Sequence, residues 1–260
     1  MEFTFYKYQG TGNDFIIIDN RLKVFPKNNT NLVSTLCDRR FGIGADGLVL
    51  LEDNDEVDFT MVYYNADGNL STMCGNGGRC IVNFADYLGV IEKSAVFEAV
   101  DGLHQAVIDN GIVSLKMKDV SKVTIDKDYV FVDTGSPHHV QFVEKLDSFN
   151  VKLEGSRIRN EKYGKEGANI NFISKIDTEN FDVRTYERGV EDETLSCGTG
   201  VTAVALAMAA TGNTDKDHVN LHTLGGKLSV SFTKSGDGFA NIFLEGPAKL
   251  VFQGTYKGVW

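Results

Sequence analysis

Two short stretches of the sequence combine cysteine and glycine in the same way. The segment MCGNGGRC at 73–80 sets Cys74 directly before a glycine-rich turn, and SCGTG at 196–200 repeats the arrangement around Cys197. A cysteine in such a turn is compatible with a disulfide, a metal site, a phosphate-binding loop or a reactive thiol. The residues after each turn must decide among these four.

A helix is predicted after each turn. Residues 79–89, RCIVNFADYLG, carry apolar side chains three and four positions apart and end in glycine, and residues 200–213, GVTAVALAMAATGN, form the second candidate. The N–H groups and the dipole of a first helical turn favour negative charge. The pKa values of Cys74 and Cys197 are therefore expected to lie below the free value of about 8.5.

Two such thiols suit acid–base chemistry on an amino acid. If both helix ends meet in one cleft, their N–H groups can hold a carboxylate. A thiolate then removes the α-proton from one face while the opposing thiol delivers a proton to the other, which inverts the α-carbon. Because the same N–H groups stabilise charge that moves onto the carboxylate, no cofactor is required. The paired turns thus predict two-base epimerisation.

The elements that position these turns form an internal repeat. An offset of 123 residues relates landmarks in the same order: Gly12 to Gly135, Gly44 to Gly167 and Cys74 to Cys197. Asn65 and Glu187 match at an offset of 122. Coincidence among glycine-rich turns is the alternative to duplication. A repeat this long is unlike a solenoid and predicts two similarly folded halves facing each other.

Strands dominate the rest of the chain. Alternating or continuous apolar runs ended by Gly, Asn or Asp predict strands at DFIIIDN, GLVLLED, DFTMVYYN, GIVSLKMK, NINFISK, KLSVSFT and ANIFLEG.

Composition excludes several classes of protein. The 260 residues are 42% hydrophobic and 24% charged, as in a globular chain of one or two domains. A net charge of -10 without a run of Lys or Arg argues against nucleic acid or an anionic membrane as partner. The absence of a signal-like start and of an apolar window of about 18 residues predicts a cytoplasmic protein. Four cysteines then fit free thiols in a reducing compartment.

Six motifs together resemble the diaminopimelate epimerase family. In chain order they are GTGNDF, GIGADG, NADGNLSTMCGNGGR, GSPHH, GANINF and YERGVEDETLSCGTG. The resemblance covers nearly the whole chain. It implies a cofactor-independent enzyme that interconverts LL- and meso-diaminopimelate for lysine and peptidoglycan synthesis.

The resemblance also implies the fold. It is an α/β (α+β) architecture of two pseudo-symmetric domains, each a strongly curved, mostly antiparallel sheet around a central helix, with the active site in the cleft between them. We expect halves at 1–120 and 121–248, with 249–260 returning to pack on the first. The expected partner is the small-molecule substrate, and a homodimer is a further expectation.

Site residues follow from the matched motifs. The resemblance implies Cys74 and Cys197 as the catalytic pair, with His138 and Glu187 as polar helpers near the thiols. It implies substrate contacts by Asn13, Asn65, Gly75, Asn76, Asn169, Glu187, Arg188, Gly198 and Thr199. No metal is expected. Three positions depart from the pattern: Gly47, Asn69 and Ser136. Ser136 replaces the usual Asn before Pro-His, and its shorter hydroxyl offers one fewer polar group to a ligand.

Simpler interpretations apply to other motifs. Cys37 and Cys80 are expected to pack as small hydrophobic residues. GIGADG at 42–47 fits a dinucleotide-binding pattern, yet the residues after it predict a strand rather than a helix. HVNLH at 218–222 lacks the Glu of a zinc-protease motif, so surface histidines are expected. The asparagines of the site motifs are also common turn formers.

Four other functions share either these residues or this architecture. A proline or hydroxyproline racemase also has two opposed cysteines, and a phenazine-pathway isomerase shares the architecture without them. A thiol redox protein and a non-catalytic amino-acid binder are the remaining alternatives. Arg188 favours diaminopimelate over proline, because a distal carboxylate needs a cation and proline has none.

Overall fold

The computed structural model describes residues 2–27 and 29–258. The helices are α1 (Thr30–Cys37), α2 (Gly75–Tyr87), α3 (Val151–Tyr163) and α4 (Gly198–Ala210), with a 3-10 turn at Leu146–Ser148. The strands are β1 (Glu2–Gly10), β2 (Asn13–Asp19), β3 (Gly47–Glu52), β4 (Phe59–Asn65), β5 (Ser94–Ala99), β6 (Gly102–Asp109), β7 (Ile112–Lys116), β8 (Val123–Ile125), β9 (Val130–Asp133), β10 (Pro137–Phe142), β11 (Asn169–Lys175), β12 (Asn180–Glu187), β13 (Asp192–Thr194), β14 (His218–Thr223), β15 (Gly226–Ser235), β16 (Gly238–Pro247) and β17 (Lys249–Lys257).

The chain divides into two compact units. The first consists of Met1–Leu115 and Pro247–Trp260, and the second is Lys116–Gly246. In the first unit, β1 lies between β2 and β17 and is antiparallel to both.

The same strand arrangement occurs in each unit. In the first, β2 is parallel to β3, which is antiparallel to β4. In the second, β10 is parallel to β11, which is antiparallel to β12. A 13-residue helix follows each set, and α4 begins 123 residues after α2. The predicted mixed fold of two similar halves is therefore confirmed.

The two matching helices form the centres of their units. On α2, Ile81, Phe84 and Ala85 lie on the buried face against β1, β2, β3 and β6. On α4, every residue from Gly200 to Met208 is buried, against strands that include β9, β10, β11 and β15. Because each helix is enclosed by strands, its N-terminus is held in a fixed position by packing.

All seven predicted strands are confirmed, but α1 and α3 are not apparent from the sequence pattern. On α3 only Val151, Gly155 and Ile158 of the segment VKLEGSRIRNEKY are buried. The buried face is therefore a narrow stripe that gives little apolar periodicity. Its start is fixed instead by Asn150, whose side chain accepts a hydrogen bond from the Leu153 N–H at 3.1 Å. None of the described helices is both long enough and apolar enough to span a membrane.

Candidate active site

Cys74 caps the N-terminus of α2. Its backbone is extended, with φ −103° and ψ 145°, and its Sγ accepts a hydrogen bond from the Gly77 N–H at 3.2 Å. A Cβ on Gly77 would lie 3.3 Å from that sulfur, so glycine keeps the first turn close to it. An N–H directed at sulfur stabilises a thiolate more than a thiol. The prediction that Cys74 lies at the N-terminus of a helix is confirmed.

Arg79, one turn into α2, is fully buried. Its guanidinium donates to the Gly75 carbonyl at 3.2 Å, the Thr11 hydroxyl at 3.0 Å and the Asn76 side-chain oxygen at 2.9 Å. These bonds tie the turn after Cys74 to the loop between β1 and β2. The carbonyl of Gly75 and the amide of Asn76 are thereby fixed in orientation.

Asn13, at the start of β2, lies between that turn and an ion-pair network. Its side-chain oxygen accepts a hydrogen bond from Asn76, and its Nδ2 donates to Asp46 at 3.0 Å. Arg39 bridges Asp46 at 2.6 Å and Asp14 at 2.7 Å. Burial acts to raise the pKa of Asp14, but hydrogen bonds from Arg39 and from a buried lysine hold it well below its usual range. Asp14 therefore stays ionised within the network, and the bond to Asp46 fixes the orientation of the Asn13 amide.

Cys197 occupies the N-cap position of α4 in the second unit, and its environment differs from that of Cys74. It is buried, and its side chain accepts no capping bond from the helix backbone. Its Sγ lies 3.4 Å from the Thr199 hydroxyl, where either atom can donate. The Thr199 carbonyl accepts a bond from Thr134 at 3.1 Å. A Cβ on Gly200 would approach the Asn171 side-chain oxygen to 2.6 Å, so glycine is required there sterically.

Asn171 connects this turn to His138. Its Nδ2 donates to the His139 carbonyl at 3.0 Å and lies 3.2 Å from His138 Nδ1, while its oxygen accepts from Thr185. Because the carbonyl contact makes Nδ2 the donor, His138 Nδ1 is an acceptor and its proton resides on Nε2. That Nε2 atom is buried with no hydrogen-bond partner among the described residues. Burial and then repulsion by Arg188 lower the pKa of His138 to about 3.

Asn169 and Ser136 lie at the same end of the second sheet. Asn169 begins β11 opposite His138 on β10 and donates to the Ser136 hydroxyl at 3.0 Å. Its oxygen accepts the Arg188 backbone N–H at 2.9 Å, and the Arg188 guanidinium donates to the Glu166 carbonyl at 3.0 Å. The exposed Arg188 is thus held by two contacts. The Ser136 hydroxyl accepts one of the hydrogen bonds that orient Asn169.

Asn65 and Glu187 occupy matching places. Each is the last residue of its strand, β4 and β12 respectively. Asn65 is exposed, and its backbone N–H donates to the Asn69 carbonyl at 3.0 Å. The Glu187 carbonyl accepts from the Glu191 N–H at 2.8 Å. Each residue therefore lies at the end of a strand, on the chain segment that leads to a cysteine turn.

The other two cysteines are chemically distinct. Burial raises the pKa of Cys37 and of Cys80 to about 12, so both remain thiols near neutral pH. The packing role predicted for them agrees with their burial. The segment 42–47 leads into β3, which confirms the strand, rather than a helix, predicted after this motif. Within 2–27 and 29–258, His, Cys, Asp and Glu side chains form no group of three suited to a metal ion.

Sequence comparison identifies the relatives of this arrangement. The family model for diaminopimelate epimerase matches residues 5–127 and 130–251. This chain belongs to the diaminopimelate epimerase family. The diaminopimelate epimerase of Flavobacterium psychrophilum is 60% identical over 252 residues, which are 96% of this chain and 98% of the relative. That of Chlorobaculum tepidum is 43% identical over 259 residues, 95% of this chain and 98% of the relative. The predicted family and isomerase class are confirmed.

Solved structures outside the diaminopimelate epimerase family share the fold. A phenazine biosynthesis protein of the PhzF family from Bacillus anthracis matches with a TM-score of 0.71 at 16% identity and covers 99% of both chains. A hydroxyproline epimerase from Agrobacterium vitis, with bound trans-4-hydroxy-L-proline, matches with a TM-score of 0.68 at 14% identity, covering 98% of this chain and 92% of that one. At these identities the likeness concerns the fold alone.

Two residues of this family member were missed by sequence reasoning. Asn171 was hidden because it alternates with Ile170 and Phe172 in a strand, and strand alternation usually places polar residues toward solvent. Arg79 lies within the first cysteine motif, but the motif alone assigns it no role. Its position one turn after the cap, on a helix that packs against strands, was the available signal.

Proposed function

We propose that this protein converts LL-diaminopimelate into meso-diaminopimelate through the thiols of Cys74 and Cys197, without a cofactor. The observation that carries the proposal is the matched pair of cysteine caps, each on the 13-residue helix at the centre of its unit. Membership of the diaminopimelate epimerase family supports the substrate.

The substrate α-carboxylate binds at the first turns of α2 and α4. The backbone N–H groups of Gly75, Asn76, Gly198 and Thr199 are the proposed donors. Four N–H groups at each helix start have no partner within the helix, and they combine with the helix dipole to favour an anion. The side chains that make further substrate contacts are Asn13, Asn65, Asn169, Glu187 and Arg188.

Proton transfer then proceeds in a balanced step. One cysteine thiolate takes the α-proton as the C–H bond breaks, and the electron pair is delocalised into the carboxylate. The other thiol gives its proton to the opposite face and becomes a thiolate. No electrons leave the system, so the step needs no oxidant or reductant. Donors at the carboxylate are most effective here because charge increases on it during the step.

His138 acts as a neutral hydrogen-bond donor in this proposal, which refines its role as helper. With a pKa near 3, it does not serve as a general base at neutral pH. Its buried Nε2 atom carries the ring proton and can donate it in a hydrogen bond to a ligand oxygen or a thiolate. Asn171 fixes the tautomer that makes this donor available.

Arg188 is assigned to the distal carboxylate of the substrate. Its side chain is exposed, and its backbone is held by Asn169. A guanidinium matches a carboxylate geometrically and in charge. Arg188→Met is therefore expected to raise the KM for diaminopimelate more than it lowers kcat.

Proton NMR of LL-diaminopimelate in D2O tests the proposal directly. With reduced, metal-stripped protein, one α-proton signal should disappear as the meso isomer accumulates. Exchange with proline, and none with diaminopimelate, would instead favour a proline-type racemase. Absence of exchange with either substrate, in protein whose fold is verified by circular dichroism, would reject two-base epimerisation.

We propose further that the protein is a cytoplasmic homodimer. The four cysteines are present as thiols, which suits a reducing compartment. In the first unit, Leu250, Val251 and Phe252 of β17 are all exposed. Because neighbouring strand residues point to opposite faces, apolar side chains lie on both faces of this strand, and such exposure is found at subunit contacts. Light scattering during size-exclusion chromatography measures the mass, and Val251→Lys should lower it if this strand forms the contact.

A further inference from the structure

The burial of Arg79 needs an electrostatic explanation. An arginine side chain stays protonated in proteins, and a buried cation is costly unless a negative charge lies nearby. Within the described residues no carboxylate lies within ion-pair distance of this guanidinium. Three neutral oxygens accept its hydrogen bonds, and its Nε has no partner.

The position on the helix makes the problem more severe. Arg79 lies in the first half of α2, and its Nη1 reaches back to the carbonyl of Gly75, the first helical residue. A helix N-terminus carries partial positive charge, which disfavours a cation there. Burial acts to lower the pKa of Arg79, and electrostatic interaction with the sulfurs of Cys80 and Cys74 acts to raise it. A thiolate in this turn would therefore compensate the buried charge.

The other titratable groups around the turn do not provide that charge. Cys80 is fully buried, and burial raises its thiol pKa to about 12, so it is uncharged near neutral pH. The phenol of Tyr8 on β1 also has a raised pKa because of burial. Asp14 on β2 is neutralised by Lys7 and Arg39.

Two further charged groups lie near the cap. Asp101 accepts the Met73 N–H at 3.3 Å and is paired with His104 on β6 at 3.3 Å. Asp46 is shared between Arg39 and Asn13. Cys74 is left as the group that can carry an anion in electrostatic contact with Arg79.

The second cysteine helix lacks this cation. At the 123-residue offset, Arg79 corresponds to Thr202, which is also fully buried on its helix. The Thr202 hydroxyl donates to the Gly198 carbonyl at 2.9 Å, as Arg79 donates to the Gly75 carbonyl. The backbone contact is thus repeated while the charge is not.

We propose that Arg79 is a positioning residue that holds Cys74 as the thiolate in the resting protein, whereas Cys197, beside uncharged Thr202, rests as the thiol. This inference rests on the proposed two-thiol function and assigns each thiol its starting state. Cys74 is then the base in the first half-reaction. Cys197 becomes the base for the reverse direction only after it has donated its proton.

The test is alkylation by iodoacetamide across a pH series, with each cysteine followed by peptide mapping. Only thiolates react rapidly, and the pH midpoint of labelling reports ionisation independently of access. In the wild-type protein the midpoint of Cys74 should lie below that of Cys197. In Arg79→Met the Cys74 midpoint should rise by about one pH unit or more, since an opposite charge nearby shifts a titration by this amount. The acid limb of the epimerase pH profile should rise with it.

Two variants serve as controls. Arg79→Lys keeps the charge and should retain the low midpoint while losing part of the hydrogen bonding to Thr11 and Gly75. Thr202→Val removes the matching hydroxyl without a change in charge and should leave the midpoints of both cysteines unchanged. If Arg79→Met fails to fold, the wild-type order of the two midpoints still tests the inference.

Three outcomes would overturn it. The Cys197 midpoint could lie below that of Cys74 in the wild-type protein. Arg79→Met could leave the Cys74 midpoint unchanged while thermal stability falls, which identifies a purely structural arginine. It could also leave the midpoint unchanged while the KM for diaminopimelate rises, which makes the substrate carboxylate the counter-ion. A labelling pattern as expected without diaminopimelate turnover would reject the proposed function but not the role of Arg79.

Discussion

The two helices that carry Cys74 and Cys197 have the same length and the same place in their units, yet their first turns differ. On α2 the cap sulfur accepts an N–H bond and a buried guanidinium lies one turn away. On α4 the cap sulfur lies 3.4 Å from the Thr199 hydroxyl, and the fifth helical residue is the uncharged Thr202. The turn on α2 is therefore better suited to a negative charge.

This difference teaches that an internal repeat preserves geometry more strictly than charge. The cap position and the glycine at the third helical residue occur in both helices, because both fix where sulfur and N–H groups lie. The side chain of the fifth helical residue differs, Arg79 in one and Thr202 in the other. A two-base reaction benefits from such asymmetry, since one group must begin as base and the other as acid.

The largest expected effect is loss of either cap thiol. Cys74→Ala and Cys197→Ala should each lower kcat by about 10²–10⁴-fold, the range for removal of a positioned acid or base. Steady-state epimerisation of LL-diaminopimelate measures the loss. Cys37→Ala and Cys80→Ala are the matched controls and should keep most activity. An equal loss from all four substitutions would contradict the assignment.

Acid should affect the second unit first. Burial lowers the pKa of His138 to about 3 and of His139 to about 4, below the ordinary value near 6.5. Between about pH 6.5 and those values the unfolded state binds more protons, so stability falls as pH falls, by up to about 1.4 kcal/mol per pH unit for each histidine. Asp14 in the first unit has a lowered pKa, so its contribution is lost only below about pH 4.

Hydrogen exchange measured by mass spectrometry at pH 6.5 and pH 4.5 distinguishes the two units. After correction for the intrinsic rate, peptides from 116–246 should lose more protection than those from 2–115. The reverse order would show that the carboxylates of the first unit, not the buried histidines, control acid stability.

Alanine at the third helical residue should sharpen the comparison between the turns. Gly200→Ala forces a Cβ to within 2.6 Å of the Asn171 side chain and should destabilise the protein by about 1–3 kcal/mol. In Gly77→Ala the new Cβ lies 3.3 Å from Cys74 Sγ, a tight contact that destabilises the protein slightly. Alanine also gains about 1 kcal/mol of helix propensity. Because the two effects oppose each other, the melting temperature should change little. Thermal unfolding compares them. Equal destabilisation would mean that the two turns are equally crowded.

The smallest expected effect concerns Ser136. In Ser136→Asn an amide oxygen can replace the hydroxyl that accepts from Asn169, so one hydrogen bond is exchanged for another. The kcat/KM for diaminopimelate should stay within about threefold of the wild-type value, since the net difference is about 0.5 kcal/mol. A change of tenfold or more would show that Ser136 contacts the substrate directly.

Much of this architecture could be predicted from the sequence because its signals are local. Glycine turns and apolar runs predict the strands, and the cysteine turns predict where α2 and α4 begin. Helix α3 could not be predicted, since Val151 and Ile158 alone give little periodicity and tertiary packing supplies the rest. The site showed the same limit. Motifs supplied Cys74 and Cys197, whereas the role of Asn171 depends on a contact with His138, 33 residues away.

The position of β17 in the chain has a consequence for synthesis on the ribosome. Strand β1 is paired on one side with β2, which follows it directly, and on the other with β17, which follows residues 116–246. The second unit can therefore complete its sheets as soon as it has emerged. The first unit must wait with one edge of β1 unpaired, so the half that is made first is the half that is finished last.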